Sequence, residues 1–150
     1  MALIKKNIKI ATILPYKENY TFKKASAASL WVSEYFKSSK FRHSNHIYGQ
    51  TNNTDYLTKN YNNIKLENIK SKLKSVTNEY TSKLIKRFKI KKYDIIEIHN
   101  RPLVYYALSK KISSRYILYF HNDPLSMNGS KTPQQRLNLI SSIDKIIFVS

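Results

Sequence analysis

The chain contains no cysteine and only two glycines in 150 residues. Without cysteine it can form neither disulfides nor thiolate-bound zinc sites, which fits a cytoplasmic protein. The shortage of glycine shows where a dinucleotide-binding fold would carry GxGxxG: the loop after the first apolar run reads KKASAAS instead. Acidic residues are scarce too, nine against 27 Lys and Arg, for a formal charge of +18. Such a surface attracts phosphates, in nucleic acid, anionic lipid or nucleotides. Abundant Lys, Asn, Ile and Tyr are also what AT-rich coding produces, so the charge sets a partner's sign and not its identity. No apolar run approaches the length of a membrane span, and MALIKKNIKIATILP has no long apolar stretch ahead of its charges. The chain reads as soluble, or attached at most to a membrane surface.

What is present argues for one folded domain. Hydrophobic residues make up 41%, and twelve Tyr, six Phe and one Trp supply core material. Ile8 to Pro15, IKIATILP, is a continuous aliphatic run ended by proline and predicts a central strand buried on both faces. Ser26 is a candidate N-cap for a helix of about three turns, with Ala27, Leu30, Trp31 and Tyr35 at helical spacing. HSNHIYG predicts a short second strand, and Gln50 to Asn63 reads as loop. From Lys65 to Ile90, Leu66, Ile69, Leu73, Val76, Tyr80, Leu84 and Phe88 recur at three- and four-residue steps and predict one amphipathic helix. Its Lys70, Lys72, Lys74, Lys83, Lys86 and Arg87 form a basic face, solvated or laid on anionic headgroups. Then come YDIIEIH, helical LVYYALSKKI, YILYFH, helical TPQQRLNLISSI and DKIIFVS. Short apolar strands alternating with helices predict an α/β, doubly wound, Rossmann-like parallel sheet with flanking helices.

One pattern is written twice. YDIIEIHNRPL and RYILYFHNDPL each end an apolar run in His-Asn-x-Pro, placing His99 and His121 at the carboxyl ends of strands, where such sheets bind ligands. A metal pair is a poor reading, since no third ligand and no HxxxH or HxH spacing accompanies them. Asn-x-Pro is also a natural strand-to-helix turn. For His99, followed at once by a helix, architecture and function weigh equally; for His121, NDPLSMNGSK opens a polar loop with room for a ligand. Lys23 and Lys24, before Ala25 and Ser26, could bring a phosphate to a helix N-terminus, or simply precede a capped helix. No RNP, KH or zinc-finger pattern supports nucleic-acid recognition.

Taken together, ATILPYKENYTFKKASAASLWVSEYF, YDIIEIHNRP, YILYFHNDPLSMNGSKTPQQR and DKIIFVS resemble the N-terminal half of family 4 glycosyltransferases of the GT-B type, of the kind that builds bacterial lipopolysaccharide and cell-surface glycans. The resemblance runs from Ile8 to Ser150. It implies transfer of a sugar from a nucleotide-sugar donor to a glycan or lipid-linked acceptor, without a metal or other cofactor, in the cytoplasm or at the inner face of the cytoplasmic membrane. It implies catalytic roles for His121 and Asp123, with Asn122 beside them, and an acceptor side shaped by His99, Asn100 and Arg101. A loop of Lys17, Glu18, Lys23, Lys24, Ala25 and Ser26 would face acceptor and diphosphate. Relatives usually carry Gly where this chain has Ala25 and Ala27. The resemblance also implies that residues 1–150 are a truncated acceptor-side domain, inactive alone, with donor binding in a C-terminal domain outside them. The alternative is a free-standing basic protein that binds nucleic acid or an anionic membrane.

Overall fold

The carboxyl ends of six strands meet at one edge of an open, all-parallel sheet whose order is β3-β2-β1-β4-β5-β6. The strands are β1 (Ile10–Ile13), β2 (Asn45–Gly49), β3 (Tyr61–Asn63), β4 (Ile95–His99), β5 (Arg115–Phe120) and β6 (Lys145–Phe148). The helices are α1 (Ala27–Ser38), α2 (Val76–Ile90), α3 (Pro102–Ser109) and α4 (Pro133–Ser142). This computed structural model describes residues 7–67 and 75–149. The fold is α/β and Rossmann-like, with its topological switch point between β1 and β4, where the strand order reverses.

The first run forms the central strand as expected, and all four β1 residues are buried. Alternation along the strands sends side chains to two separate cores. On one face, Ala11, Ile13, Ile96, Ile98, Leu118 and Phe120 pack against Tyr80, Leu84 and Phe88 of α2, Val104 and Leu108 of α3 and Leu139 of α4. On the other, Leu14, Ile47 and Tyr61 pack under Val32 and Phe36 of α1, together with Tyr20 and Leu57 from loops. The central strands are therefore covered on both sides, as a parallel sheet requires, while edge strand β6 remains partly open, with Phe148 67% exposed.

Three expectations need correction. The helix predicted over Lys65–Ile90 begins only at Val76, where the Ser75 side chain accepts from the Asn78 N–H and caps it. Lys65 and Leu66 are in coil, while Ile69, Lys70, Lys72, Leu73 and Lys74 lie outside the described residues. Within α2 the basic face is partly committed: Lys83 pairs with Glu79 at 3.0 Å and Arg87 donates to the Asn63 carbonyl. Next, the stretch read as loop ends in strand β3, an edge strand built of Tyr-Asn-Asn. Its asparagines escape a hydrophobicity pattern because they serve the edge, Asn62 donating to the Ile47 carbonyl and Asn63 bonding both backbone groups of Thr51. Lastly, α1 buries Ala28, Val32 and Phe36 in its core, whereas Leu30 is 50% and Tyr35 39% exposed. The apolar stripe lies one residue round from the spacing read in the sequence.

Candidate functional site

The repeated His-Asn-x-Pro segments end adjacent strands, β4 and β5, and His99 stands in register with Tyr119. Residues two apart on a strand share a face, so Glu97 and His99 of β4 lie beside Tyr119 and His121 on the α1 side of the sheet. The histidine rings meet there: His99 Nδ1 is 2.7 Å from His121 Nε2. Tyr119 stacks on His99 with centroids 4.6 Å apart. Trp31 of α1 covers the group, 5.9 Å from His99, 5.6 Å from Tyr119 and 5.2 Å from His121. Trp31 packs against the margin of the α1-side core and at the same time roofs the histidine pair.

His99 is 1% exposed, so any influence it has on a ligand passes through His121. Burial pushes its pKa well below the ordinary histidine range, with the neighbouring His121 adding to the effect. Burial also lowers the pKa of half-buried His121. The pair is therefore neutral at pH 7. Its hydrogen bond carries one proton, and the fully buried His99 Nε2 has no partner. If His121 were the donor, His99 would hold its proton on Nε2 and leave a buried N–H unsatisfied, at a cost of about 1–3 kcal/mol. The cheaper arrangement has His99 Nδ1–H donating to His121 Nε2, which leaves His121 with its proton on Nδ1.

Behind the histidines sits a buried carboxyl. Glu97, 4% exposed, takes the Thr12 hydroxyl at 2.8 Å and the Tyr119 hydroxyl at 3.4 Å. Burial raises its pKa, and those two hydrogen bonds oppose the rise without cancelling it.

The two asparagines have different tasks. Asn100 adopts a left-handed backbone, φ 54°, which Asn tolerates better than most residues. There its N–H extends the ladder to the Tyr119 carbonyl at 2.8 Å, and its Oδ1 accepts the His121 N–H at 2.7 Å. It ties one strand end to the other. Asn122 is exposed and faces a groove of about 370 Å³, also lined by Tyr16, Asn100, Arg101, Asn128 and Lys131. The groove lies above the carboxyl ends of β1, β4 and β5, next to the switch point, and its walls are mainly the chains that leave β4 and β5. His121 is not one of its walls; it is joined to the groove through its N–H bond to Asn100 and its chain neighbour Asn122.

The remaining residues named from the sequence are dispersed. Asp123 is exposed, and its Oδ1 accepts the Leu125 N–H to open a 3₁₀ turn at Pro124–Ser126. Lys17 lines a second groove with Gln50 and Glu67, and has φ 66°. Glu18 accepts the Ser26 hydroxyl at 2.8 Å, while Ser26 caps α1 through the Ser29 N–H. A carboxylate therefore already stands at that helix N-terminus. Lys23 and Lys24 are exposed, and Ala25 packs against the α1 core.

Sequence reasoning missed Tyr16, Thr77, Glu97 and Tyr119. A buried Glu within IIEIH is the one legible signal, since a charge inside an apolar strand is rarely left without a reason. Among the described residues no group of three His, Asp or Glu is placed to hold a metal ion, and no helix is long and apolar enough to cross a membrane. Neither protein-family models nor curated proteins match the chain.

Proposed function

We propose that these residues form the acceptor-side, N-terminal portion of a GT-B glycosyltransferase of family 4, acting in cell-surface polysaccharide or lipopolysaccharide synthesis. The observation that carries this reading is the contact between His99 and His121 at the carboxyl ends of β4 and β5, beside a polar groove at the switch point. The two copies of His-Asn-x-Pro thereby acquire different roles in one site, which a pair of unrelated strand-ending turns would not require.

In this reading His121 positions substrate. A histidine whose pKa is depressed is a weak proton acceptor at neutral pH, but a tautomer fixed by His99 offers a directed N–H to a sugar hydroxyl. Its contribution is orientation and electrostatic stabilisation at the reacting carbon. Asn100 holds the strand ends together, and Arg101 and Asn122 face the acceptor. Asp123 shapes the loop after His121. The nucleotide sugar is bound outside residues 1–150, so the chain alone binds acceptor without transferring sugar.

Calorimetry on the purified chain separates this from the rival class. Saturable binding of a saccharide, weakened by His121→Ala, together with no micromolar binding of nucleotide sugars, is expected. Micromolar nucleotide-sugar binding would overturn the acceptor-side assignment. Binding only to nucleic acid or anionic vesicles, lost steeply as salt rises, would replace it with a basic binding protein.

A further inference from the structure

The switch-point groove is lined by two cations, Arg101 and Lys131, three amides, Asn100, Asn122 and Asn128, and the polar side chains of Tyr16, Thr77 and Ser126, with no acidic residue on its walls. In a chain with nine carboxylates their absence here follows partly from scarcity, but the state of Arg101 does not. Arg101 is half-buried, and its guanidinium lies 5.1 Å over the Tyr16 ring and donates through Nη1 to the Asn100 carbonyl at 2.9 Å. Tyr16 is fixed in turn, its hydroxyl 2.8 Å from Thr77 Oγ1. All nine Asp and Glu belong to the described residues, and none forms an ion pair with Arg101 or Lys131. A cation withdrawn from water without a counter-charge is unfavourable. Held rigid with four N–H donors unspent, it is suited to grip a carboxylate or phosphate from outside.

The floor of the groove is equally committed. Asn100 is 3% exposed and Asn122 is exposed, one on each strand end. Gly129, at φ 95°, lets the loop after β5 close against α3, since a Cβ there would meet Pro102 Cβ at 3.0 Å and Leu103 Cδ2 at 3.2 Å. That contact sets the distance between the Arg101 wall and the Ser126–Lys131 wall. Amides from both strand ends and a cation on each wall match a ligand that is both polyhydroxylated and anionic.

We infer that the acceptor bound at this groove is an anionic sugar, a sugar phosphate or a sugar carboxylate, whose charge rests on Arg101 and Lys131 while its hydroxyls meet the asparagine amides. This deepens the acceptor-side reading and rests on it. It makes Arg101 the residue that selects charge and leaves His121 to orient the reacting sugar.

The test is a titration of the ¹⁵N-labelled full chain at physiological salt with glucose, glucuronate, glucose 6-phosphate, inorganic phosphate and phosphatidylglycerol vesicles. Glucuronate and glucose 6-phosphate should bind about tenfold tighter than glucose, the worth of one charge-assisted hydrogen bond, and shift the amides of Asn100, Arg101, Leu103 and Ser126–Lys131. Arg101→Gln should abolish that preference, Lys131→Gln should reduce it, and Lys92→Gln, which lies far from the groove, should leave it intact. Glucose binding at the groove as tightly as the anions would overturn this inference and leave the acceptor reading standing. Failure of every sugar to bind would remove both. Inorganic phosphate equalling glucose 6-phosphate would show a bare anion site, and vesicle binding that alone depends on Arg101 would show a lipid headgroup; either result overturns the assignment of an anionic sugar.

Discussion

His99 Nδ1 and His121 Nε2 face each other at 2.7 Å across the carboxyl ends of two parallel strands, and the other ring nitrogen of His99 is buried without a partner. That geometry fixes both tautomers if the unpartnered nitrogen is the bare one. Long-range ¹H–¹⁵N spectra at pH 7 should show both rings neutral and both protonated at Nδ1. In His99→Phe, His121 should relax to a mixture of tautomers. A proton found on Nε2 of His99 in the unaltered chain would refute the arrangement.

Stability should fall on mild acidification. Burial depresses the pKa of His99 and His121, and of His46, where Lys91 and Lys9 add to the effect. Each unfolded histidine takes up a proton near its ordinary value of 6.5 while the folded one resists. Their contribution is therefore complete above pH 6.5 and is lost as pH falls below it toward the folded values. Urea unfolding from pH 7.5 down to pH 5 should show the decline, as expected for groups buried neutral. His99→Phe should flatten it; an unchanged slope would place the titration elsewhere.

Glu97 has the opposite sign. Its folded pKa is raised by burial, so the stabilisation it allows is present below the ordinary carboxyl value and lost as pH rises through the folded one. At pH 7 to 8, Glu97→Gln should match or exceed the unaltered chain in stability, because the amide keeps partners for Thr12 and Tyr119 without a buried charge. The gain should shrink in acid, below the ordinary carboxyl range. A variant clearly less stable at neutral pH would mean that the ionised carboxylate is itself wanted there.

The alternation of apolar runs and amphipathic stretches made the sheet legible, because a parallel strand buried on both faces must be apolar throughout, as Ile10–Ile13 is. Strand β3 was hidden because an edge strand needs backbone pairing more than apolar side chains. The face of α1 was misread because Leu30 and Tyr35 fit a helical stripe as well as Val32 and Phe36 do, and only packing against the sheet decides which pair is buried. At the site, His99 and His121 were visible as a repeat, yet their division of labour depends on a 22-residue separation being folded into one hydrogen bond. Tyr16 and Thr77, which hold Arg101 in place, carry no local pattern that marks them.

The loop from Lys17 to Ser29 yields the last prediction. Small residues and two lysines before α1 look like a phosphate cradle, but the Glu18 carboxylate accepts the hydroxyl of the capping Ser26 at 2.8 Å. A negative charge within one hydroxyl of the first turn already answers the helix dipole and repels a second anion. Sulfate or phosphate titrated into the unaltered chain should therefore leave the Ala27–Ser29 amides unmoved, whereas Glu18→Gln should let them shift. Ser26→Ala should cost about 1 kcal/mol through loss of the cap, measured by urea unfolding. Were phosphate to move those amides in the unaltered chain, the lysines would outweigh Glu18 and the cradle would be open after all.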